Sequence, residues 1–96
     1  MDPIVTLHMV VQLALTDARR LGAVEPQLQR AEAVTWRSGA LGCPQPGLAY
    51  TDALVPGFRV CVKVGEQLLR YHAGPDGRPR VCSAERAQQP LPDGRN

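Results

Sequence analysis

The sequence predicts an α+β domain in which one N-terminal helix packs on a three- to four-stranded antiparallel sheet. Three observations predict this class. Apolar residues recur at three- and four-residue intervals over residues 4–21, as they do on one face of a helix. Apolar residues then occupy every second position over 58–64, the period of a strand with one face in the core. The later connections are short and no βαβ repeat is present, which favours an antiparallel sheet.

The helix is predicted to span residues 3–21. Asp2 is typical of an N-cap and Pro3 of a first helical residue, because Pro lacks the N–H that would otherwise be unpaired there. Gly22 supplies the stop. The predicted apolar face comprises Ile4, Leu7, Val11, Ala14, Leu15, Ala18 and Leu21.

The first strand is predicted over 28–36 and is followed by a stiff loop. Gly and Pro residues concentrated between positions 42 and 47 exclude regular structure over 37–48. A second strand is predicted over 50–55. Pro56 and Gly57 then match the central positions of a type II turn, in which Gly takes the positive φ.

The rest of the sheet and a tail complete the expected organisation. Further strands are predicted over 58–64, 67–72 and 80–82, with turns at 65–66 and 74–77. The remaining chain is polar and contains Pro, so a disordered tail is expected over 83–96. Residues 1–82 then form a single domain, which we expect to be a monomer.

The charge balance argues against a nucleic-acid partner. The 96 residues carry a formal net charge of +2, and 21% of them are charged. The Lys and Arg residues are spread along the chain, without the clustering on one face and the interleaved aromatic residues that backbone binding requires. No nucleic-acid partner is therefore expected, and the candidate partner is the protein considered with the loop below.

The longest mainly apolar stretch, residues 4–15, does not predict a membrane span. It is shorter than the roughly 20 residues that a transmembrane helix requires. It also lacks the basic flank and the small-residue cleavage site of a signal peptide, so no export signal is predicted. We expect an exported or periplasmic protein if a leader has been removed, and a cytoplasmic one otherwise.

Three cysteines in a short chain cannot all pair with one another. Cys43 lies in the loop and Cys82 at the end of the last strand, where the backbone can move to meet disulfide geometry. A Cys43–Cys82 bridge would stabilise the fold by roughly 3 to 4 kcal/mol in the chain-entropy model. The alternative is three reduced cysteines in a cytoplasmic protein. Cys61, in the middle of a strand, is interpreted as a small hydrophobic residue or a thiol on the outer face of the sheet.

No residue pattern predicts a cofactor, a metal site or a reaction. The His and Cys residues are not at the two- to four-residue spacing that structural zinc sites favour. Cys43 and His72 are the one pair suited to thiol nucleophile chemistry. Pro44 and Pro46 keep the chain extended after Cys43, however, so no helix follows that would lower the pKa of its thiol. We therefore expect a protein that is not an enzyme.

Trp36, beside the loop, has two interpretations. As a core residue it would close one end of the sheet, with its indole N–H bonded to a loop carbonyl. As an exposed residue it would anchor a partner. His72 is interpreted as a structural hydrogen-bonding group at a strand end. The candidate binding residues are Trp36, Leu41, Gln45, Tyr50 and His72.

Several motifs resemble those of a group of small uncharacterised bacterial proteins. Its members carry a Trp, a Leu-Gly-Cys-Pro-x-Pro-Gly loop, a Tyr, a Pro/Asp-Gly-Tyr strand start, a Tyr-x-Tyr-His segment and a closing Cys. The corresponding residues here are Trp36, Leu41-Gly42-Cys43-Pro44-Gln45-Pro46-Gly47, Tyr50, Pro56-Gly57-Phe58, Tyr71-His72 and Cys82. The resemblance covers roughly residues 10 to 82 and implies an architecture but no catalytic residues. Members often look exported or lipid-anchored, which suits a Cys43–Cys82 bridge. The chain departs from the pattern at Leu69, where a Tyr is usual, and at the added Cys61.

Two functional classes follow from these features. The favoured one is a non-catalytic binding or inhibitor-like module that presents the rigid loop 37–50 to a protein partner such as a hydrolase, because a preorganised loop loses little entropy on binding. The alternative is a small thiol or hydrolytic enzyme that uses Cys43 and His72. A purely structural domain of an envelope protein competes with both.

Overall fold

The structure, a computed structural model, describes residues 5–92. This part of the chain contains one helix and four strands. The elements are α1 (Leu7–Arg20), β1 (Gln27–Trp36), β2 (Val55–Val64), β3 (Gln67–Ala73) and β4 (Arg80–Cys82). The strands pair antiparallel in the order β1-β2-β3-β4, so each strand lies beside its neighbour in sequence. The predicted α+β class, with one helix packed on an antiparallel sheet, is confirmed.

Helix α1 begins later than predicted. The side chain of Thr6 is the N-cap and accepts a hydrogen bond from the backbone N–H of Met9 at 3.2 Å. This bond satisfies one of the free amides of the first turn. Val5 and Thr6 are not helical, so the predicted start at residue 3 is wrong. The expected cap at Asp2 and Pro3 lies outside the described residues.

The predicted end of the helix at Gly22 is confirmed. Gly22 adopts a φ of 106°, and its N–H donates to the Arg19 carbonyl at 2.9 Å. The N–H of Ala23 donates to the Ala18 carbonyl at 3.0 Å. These two bonds form a Schellman motif, which satisfies carbonyls that the last turn leaves free.

Helix α1 packs across one face of the sheet, mainly against β2. Ala14 and Ala18 are fully buried there, and their small side chains let the helix backbone approach the strands closely. Leu21, predicted on the apolar face, is 55% exposed because the helix has already ended. The core comprises Val10, Val11, Ala14, Ala18, Val60, Val62, Tyr71 and Ala73.

A hydrogen bond from Tyr71 ties the sheet to the helix. The Tyr71 hydroxyl donates to the Asp17 carboxylate at 2.9 Å. Arg20 binds the other oxygen of the same carboxylate at 2.7 Å. The hydrogen bond from Arg20 holds the pKa of Asp17 below its ordinary value of 3.8, and the hydrogen bond from Tyr71 lowers that pKa by a smaller amount. The carboxylate is therefore ionised at neutral pH and accepts from both elements.

Strand β2 is longer than predicted and includes the expected turn at Pro56 and Gly57. Pro56 pairs with Thr35 and Gly57 with Val34. Among the described strands, the first three residues of β2 pair with β1 alone, so Pro56 interrupts no ladder toward β3. The predicted type II turn is wrong. Gly57 has no positive φ. It is needed because the Ala73 carbonyl and the Trp36 indole lie where a side chain at this position would stand.

The strand predicted over 50–55 is also wrong, apart from its last residue, Val55. Within the described chain, residues 50–54 pair with no strand. The N–H of Gly39 instead donates to the carbonyl of Thr51 at 2.9 Å. This segment therefore closes the loop that leaves β1, and it adds nothing to the sheet.

The other strands and turns agree with the sequence. β1, β3 and β4 begin and end within one residue of their predicted bounds. The turn at 65–66 places Gly65 at a φ of 61°. In the turn at 74–77, the N–H of Gly77 donates to the carbonyl of Gly74 at 3.0 Å. A register shift between Leu28 and Arg30 is the irregularity in β1.

Residues 83–92, which belong to the predicted tail, pack against the domain. The N–H of Gln88 donates to the carbonyl of Gly42 at 2.8 Å, and that of Leu91 donates to the carbonyl of Thr35 at 2.9 Å. The segment is thereby held against both the loop and the free edge of β1. The last four residues of the predicted tail lie outside the described part of the chain.

The two faces of the sheet carry different side chains. Val60 and Val62 belong to the core beneath α1, so the alternating residues of β2 lie on the opposite face, called the outer face below. Paired residues share a face, and the register therefore extends the outer face across the strands. One row of the outer face contains Glu32, Arg59 and His72, and the next contains Arg30, Cys61 and Arg70.

Candidate functional site

Trp36 lies fully buried on the outer face, beneath the loop that follows it. Its indole N–H donates to the carbonyl of Ala73 at 2.9 Å. The interpretation of Trp36 as a core residue at one end of the sheet agrees with this geometry, although the carbonyl belongs to the end of β3 and not to a loop. A side chain without exposed surface cannot be a direct anchor for a partner.

Two glycines enclose the indole of Trp36. A Cβ added to Gly57 would lie 2.7 Å from Nε1 of Trp36 and would collide with the carbonyl oxygen of Ala73. A Cβ added to Gly42 would lie 2.7 Å from Cε3 of the same ring. Gly42 also has a φ of 71°, in the left-handed region that favours glycine. The loop and β2 therefore close on the indole only because both positions lack a side chain.

His72 completes the layer beneath the loop. Its ring stacks on Trp36 with centroids 4.5 Å apart and an interplanar angle of 25°. Nδ1 of His72 lies 2.8 Å from the carbonyl oxygen of Leu41. Because a carbonyl can only accept, we assign the proton to Nδ1, which donates. The interpretation of His72 as a structural hydrogen-bonding group agrees with these contacts.

The environment of His72 disfavours its charged form. Burial lowers the pKa of His72 below its ordinary value of 6.5, and the nearby guanidinium groups of Arg59 and Arg70 lower it further. The hydrogen bond to Leu41 opposes these effects without reversing them. His72 is therefore a neutral member of the loop support.

We expect this lowered pKa to make the fold less stable in mildly acidic solution. Well above pH 6.5 His72 is neutral in both the folded and the unfolded state, and its contribution to stability is complete. As the pH falls below 6.5 toward the lower pKa of the folded state, the unfolded chain binds the proton first, so the free energy of unfolding decreases. Denaturant titrations across this range will measure the decrease. In His72→Gln the same part of the pH dependence should disappear, and an unchanged dependence would contradict the assignment.

The predicted disulfide between Cys43 and Cys82 is confirmed. The two Cα atoms are 5.9 Å apart, and Cys82 is 3% exposed. Cys61 is a free, buried cysteine on the outer face of the sheet, as one of its two interpretations proposed. With its sulfur in the bridge, Cys43 has no thiolate to act as a nucleophile, so the Cys43–His72 pair is not available for thiol chemistry.

The loop 37–50 is fixed at several points around an exposed tip. The N–H of Gln45 donates to the Tyr50 hydroxyl at 3.0 Å, and the N–H of Leu48 donates to the Gln45 carbonyl at 3.2 Å. Residues 45–49 are exposed, whereas Tyr50 is half-buried. Leu48 alone has 59% of its surface exposed. The tip thus offers backbone and apolar side-chain surface in a fixed arrangement.

An ion pair between Arg59 and Glu32 lies beside the layer formed by Trp36 and His72. Nε of Arg59 donates to Oε1 of Glu32 at 3.2 Å, and the other end of the guanidinium donates to Oε1 of Gln89 at 2.6 Å. An open groove of about 850 Å³ runs beside this pair, between β1 and the segment around Leu91. Arg59 and Glu32 neutralise each other, and Arg37 is the other charged residue that lines the groove.

Two further findings apply to residues 5–92. No three His, Cys, Asp or Glu side chains in this range come together in a way that could hold a metal ion. No helix in this range has the length and apolar character needed to cross a bilayer.

The candidate residues divide into two groups. Trp36, His72 and the Leu41 carbonyl meet beneath the loop and support it. Gln45 and Tyr50 meet within the loop, and only Gln45 is fully at the surface. The segment around Gln88, which packs against the loop, was not predicted from the sequence. Its polar, Pro-containing composition gives no signal of where it packs.

The sequence also missed a cluster of cations on the outer face. Arg30, Lys63 and Arg70 lie on three different strands and share this face through the register. Three of the basic residues therefore share one face, which the sequence analysis did not predict. The alternation of β2 could have placed Lys63 there, but the positions of Arg30 and Arg70 depend on strand pairing that the sequence does not reveal.

Comparison with known proteins gives one match. No curated protein and no solved structure matches the chain. A family model described as a Domain of unknown function (DUF8738) matches residues 9–82, a range that runs from the first turn of α1 to the disulfide at Cys82. The chain therefore belongs to the domain family DUF8738, whose function is unknown.

Proposed function

We propose that the protein is a non-catalytic binding module that presents the loop 37–50 to a protein partner. The observation that carries this proposal is the contrast within the loop. Its base is held by the Cys43–Cys82 bridge and by the Gly39–Thr51 hydrogen bond, while residues 45–49 are exposed. A loop already fixed in one conformation loses little further entropy when it binds.

The chemistry of the tip supports a protein as the partner. Leu48 exposes 59% of its surface at the tip, and its exposed neighbours Pro46 and Gly47 add backbone carbonyl groups. An exposed apolar side chain can form part of the buried centre of a protein interface, and polar groups around it can form the rim. An inhibitor of a hydrolase is one module of this kind.

We also place this function outside the cytoplasm of a bacterial cell. The support is the bridge itself, because disulfides persist in oxidising compartments and are rare in reducing ones. Two observations support the non-catalytic role. The sulfur of Cys43 is bonded to Cys82, and the side chain of His72 is only 4% exposed.

Leu48→Ser tests the loop as the binding surface. The immobilised domain is used to capture proteins from an extract of the producing cells, and the recovered partner is quantified for each variant. We expect Leu48→Ser to recover at least about tenfold less partner than the wild type, as for an interface anchor. The matched control is Val24→Ser, which removes an apolar side chain that is 89% exposed outside the loop.

Two results would count against the loop as the binding surface. One is equal recovery by Leu48→Ser and the wild type, confirmed with a variant in which residues 44–49 are replaced by Gly and Ser. The other is a matching loss in Val24→Ser, which would indicate non-specific apolar capture. Near-ultraviolet circular dichroism checks that each variant keeps the packing around Trp36.

A further inference from the structure

The outer face carries positively charged side chains on three adjacent strands. Arg30 and Arg70 flank Cys61 in one row of the sheet, and Lys63 follows two residues after Cys61 on the same strand and the same face. Arg30 and Lys63 are exposed and Arg70 is half-buried. Arg30, Lys63 and Arg70 are called the basic patch below.

The basic patch is not neutralised by the domain itself. Within residues 5–92, Lys63 and Arg70 form no ion pair. Arg30 approaches Glu32 at 3.8 Å, but Glu32 is already bound by Arg59. Glu25 lines a cleft together with Lys63 without forming an ion pair. The patch therefore has free capacity for carboxylates.

The basic patch and the loop lie on the same side of the molecule. Cys82, which pairs with Arg70 in the sheet register, bonds to Cys43 of the loop. The bridge therefore sets Cys43 of the loop beside Arg70, at one end of the row. A partner broad enough to cover both the loop and the outer face would meet these cations.

We propose that the partner of the loop carries a carboxylate-rich surface that contacts the basic patch. This inference rests on the proposed binding function. An acidic protein surface fits better than a nucleic acid, because the patch has few cations, the net charge of the chain is +2, and no aromatic residue lies among them for base stacking. Exposed Leu68, which pairs with Lys63, adds the apolar component of a protein interface.

The test uses an oligoglutamate peptide as the probe and the variant Arg30→Gln/Lys63→Gln. The matched control, Arg19→Gln/Arg78→Gln, removes the same charge from two exposed positions outside the outer face. We expect the patch variant to bind the peptide about five- to tenfold more weakly than the wild type and the control variant to change less than about twofold. Added salt should weaken binding by the wild type.

Three outcomes would overturn the inference: no binding of oligoglutamate by the wild type, equal losses in the patch and control variants, or tighter binding of a short DNA duplex than of the peptide. Partner capture separates this inference from the proposed function. If Leu48→Ser loses the captured partner and Arg30→Gln/Lys63→Gln keeps it, the loop function stands and the acidic partner surface is wrong. If Leu48→Ser keeps the partner, the loop function is wrong whatever the peptide does.

Discussion

Replacing both Cys43 and Cys82 with alanine will lower the free energy of unfolding by about 4 kcal/mol. The bridge joins residues 39 apart in sequence, so its removal returns a long closed loop to the conformational freedom of the unfolded chain. A domain of this size has only about 5 to 15 kcal/mol of stability in total. Denaturant titration of the double variant against the wild type measures the loss.

Cys61→Ala is the matched control for this experiment. It removes the buried cysteine that lies outside the bridge, and we expect a cost of only about 1 kcal/mol. Amide hydrogen exchange gives a second readout, because the bridge is the covalent bond that fixes the loop to the sheet. Protection at Leu48 should fall in the Cys43→Ala/Cys82→Ala variant more than protection in the core strand β2. Equal stability of the two variants would show that the bridge does not hold the fold.

Gly57→Ala will destabilise the protein by at least about 3 kcal/mol. The new methyl group would collide with the Ala73 carbonyl and lie 2.7 Å from Nε1 of Trp36. Either the strands separate or the indole moves, and in both cases the hydrogen bond from Trp36 to Ala73 is lost. Because the chain has a single Trp, its fluorescence reports the change directly, and we expect emission shifted toward that of an exposed indole.

Gly39→Ala is the matched control for Gly57→Ala. A Cβ at Gly39 would lie at ordinary contact distances of 3.5 to 3.7 Å from Thr51, and Gly39 has no positive φ. We expect its stability to stay within about 0.5 kcal/mol of the wild type. If Gly57→Ala kept both the stability and the emission of the wild type, the enclosure of Trp36 by the two glycines would be incorrect.

The elements governed by local rules were predictable from the sequence. The helix stop at Gly22 and the strand period over 58–64 depend on residues that are close in sequence, and the structure agrees with both. Prediction failed where a distant contact changes the role of a local signal. Pro56 and Gly57 resemble a turn, but the indole of Trp36 needs a residue without a side chain at position 57, and a strand start tolerates Pro.

The residues that hold the loop in place were partly predictable from the sequence. The Cys43–Cys82 pairing follows from which cysteines lie where the backbone can adjust, and the structure contains it. The stack of His72 on Trp36 depends on the register of β1, β2 and β3. The basic patch depends on the same register, since cations spread along the chain meet only when the strands pair. No local pattern encodes that pairing.

Non-reducing peptide mapping tests most directly the central claim that the loop is held on the outer face by the Cys43–Cys82 bridge. The native protein is denatured without reductant, its free thiols are alkylated, and the peptides are identified by mass spectrometry. The structure predicts alkylation at Cys61 only and a linked pair of peptides that contain Cys43 and Cys82. Alkylation of all three cysteines, or a bridge that includes Cys61, would contradict it.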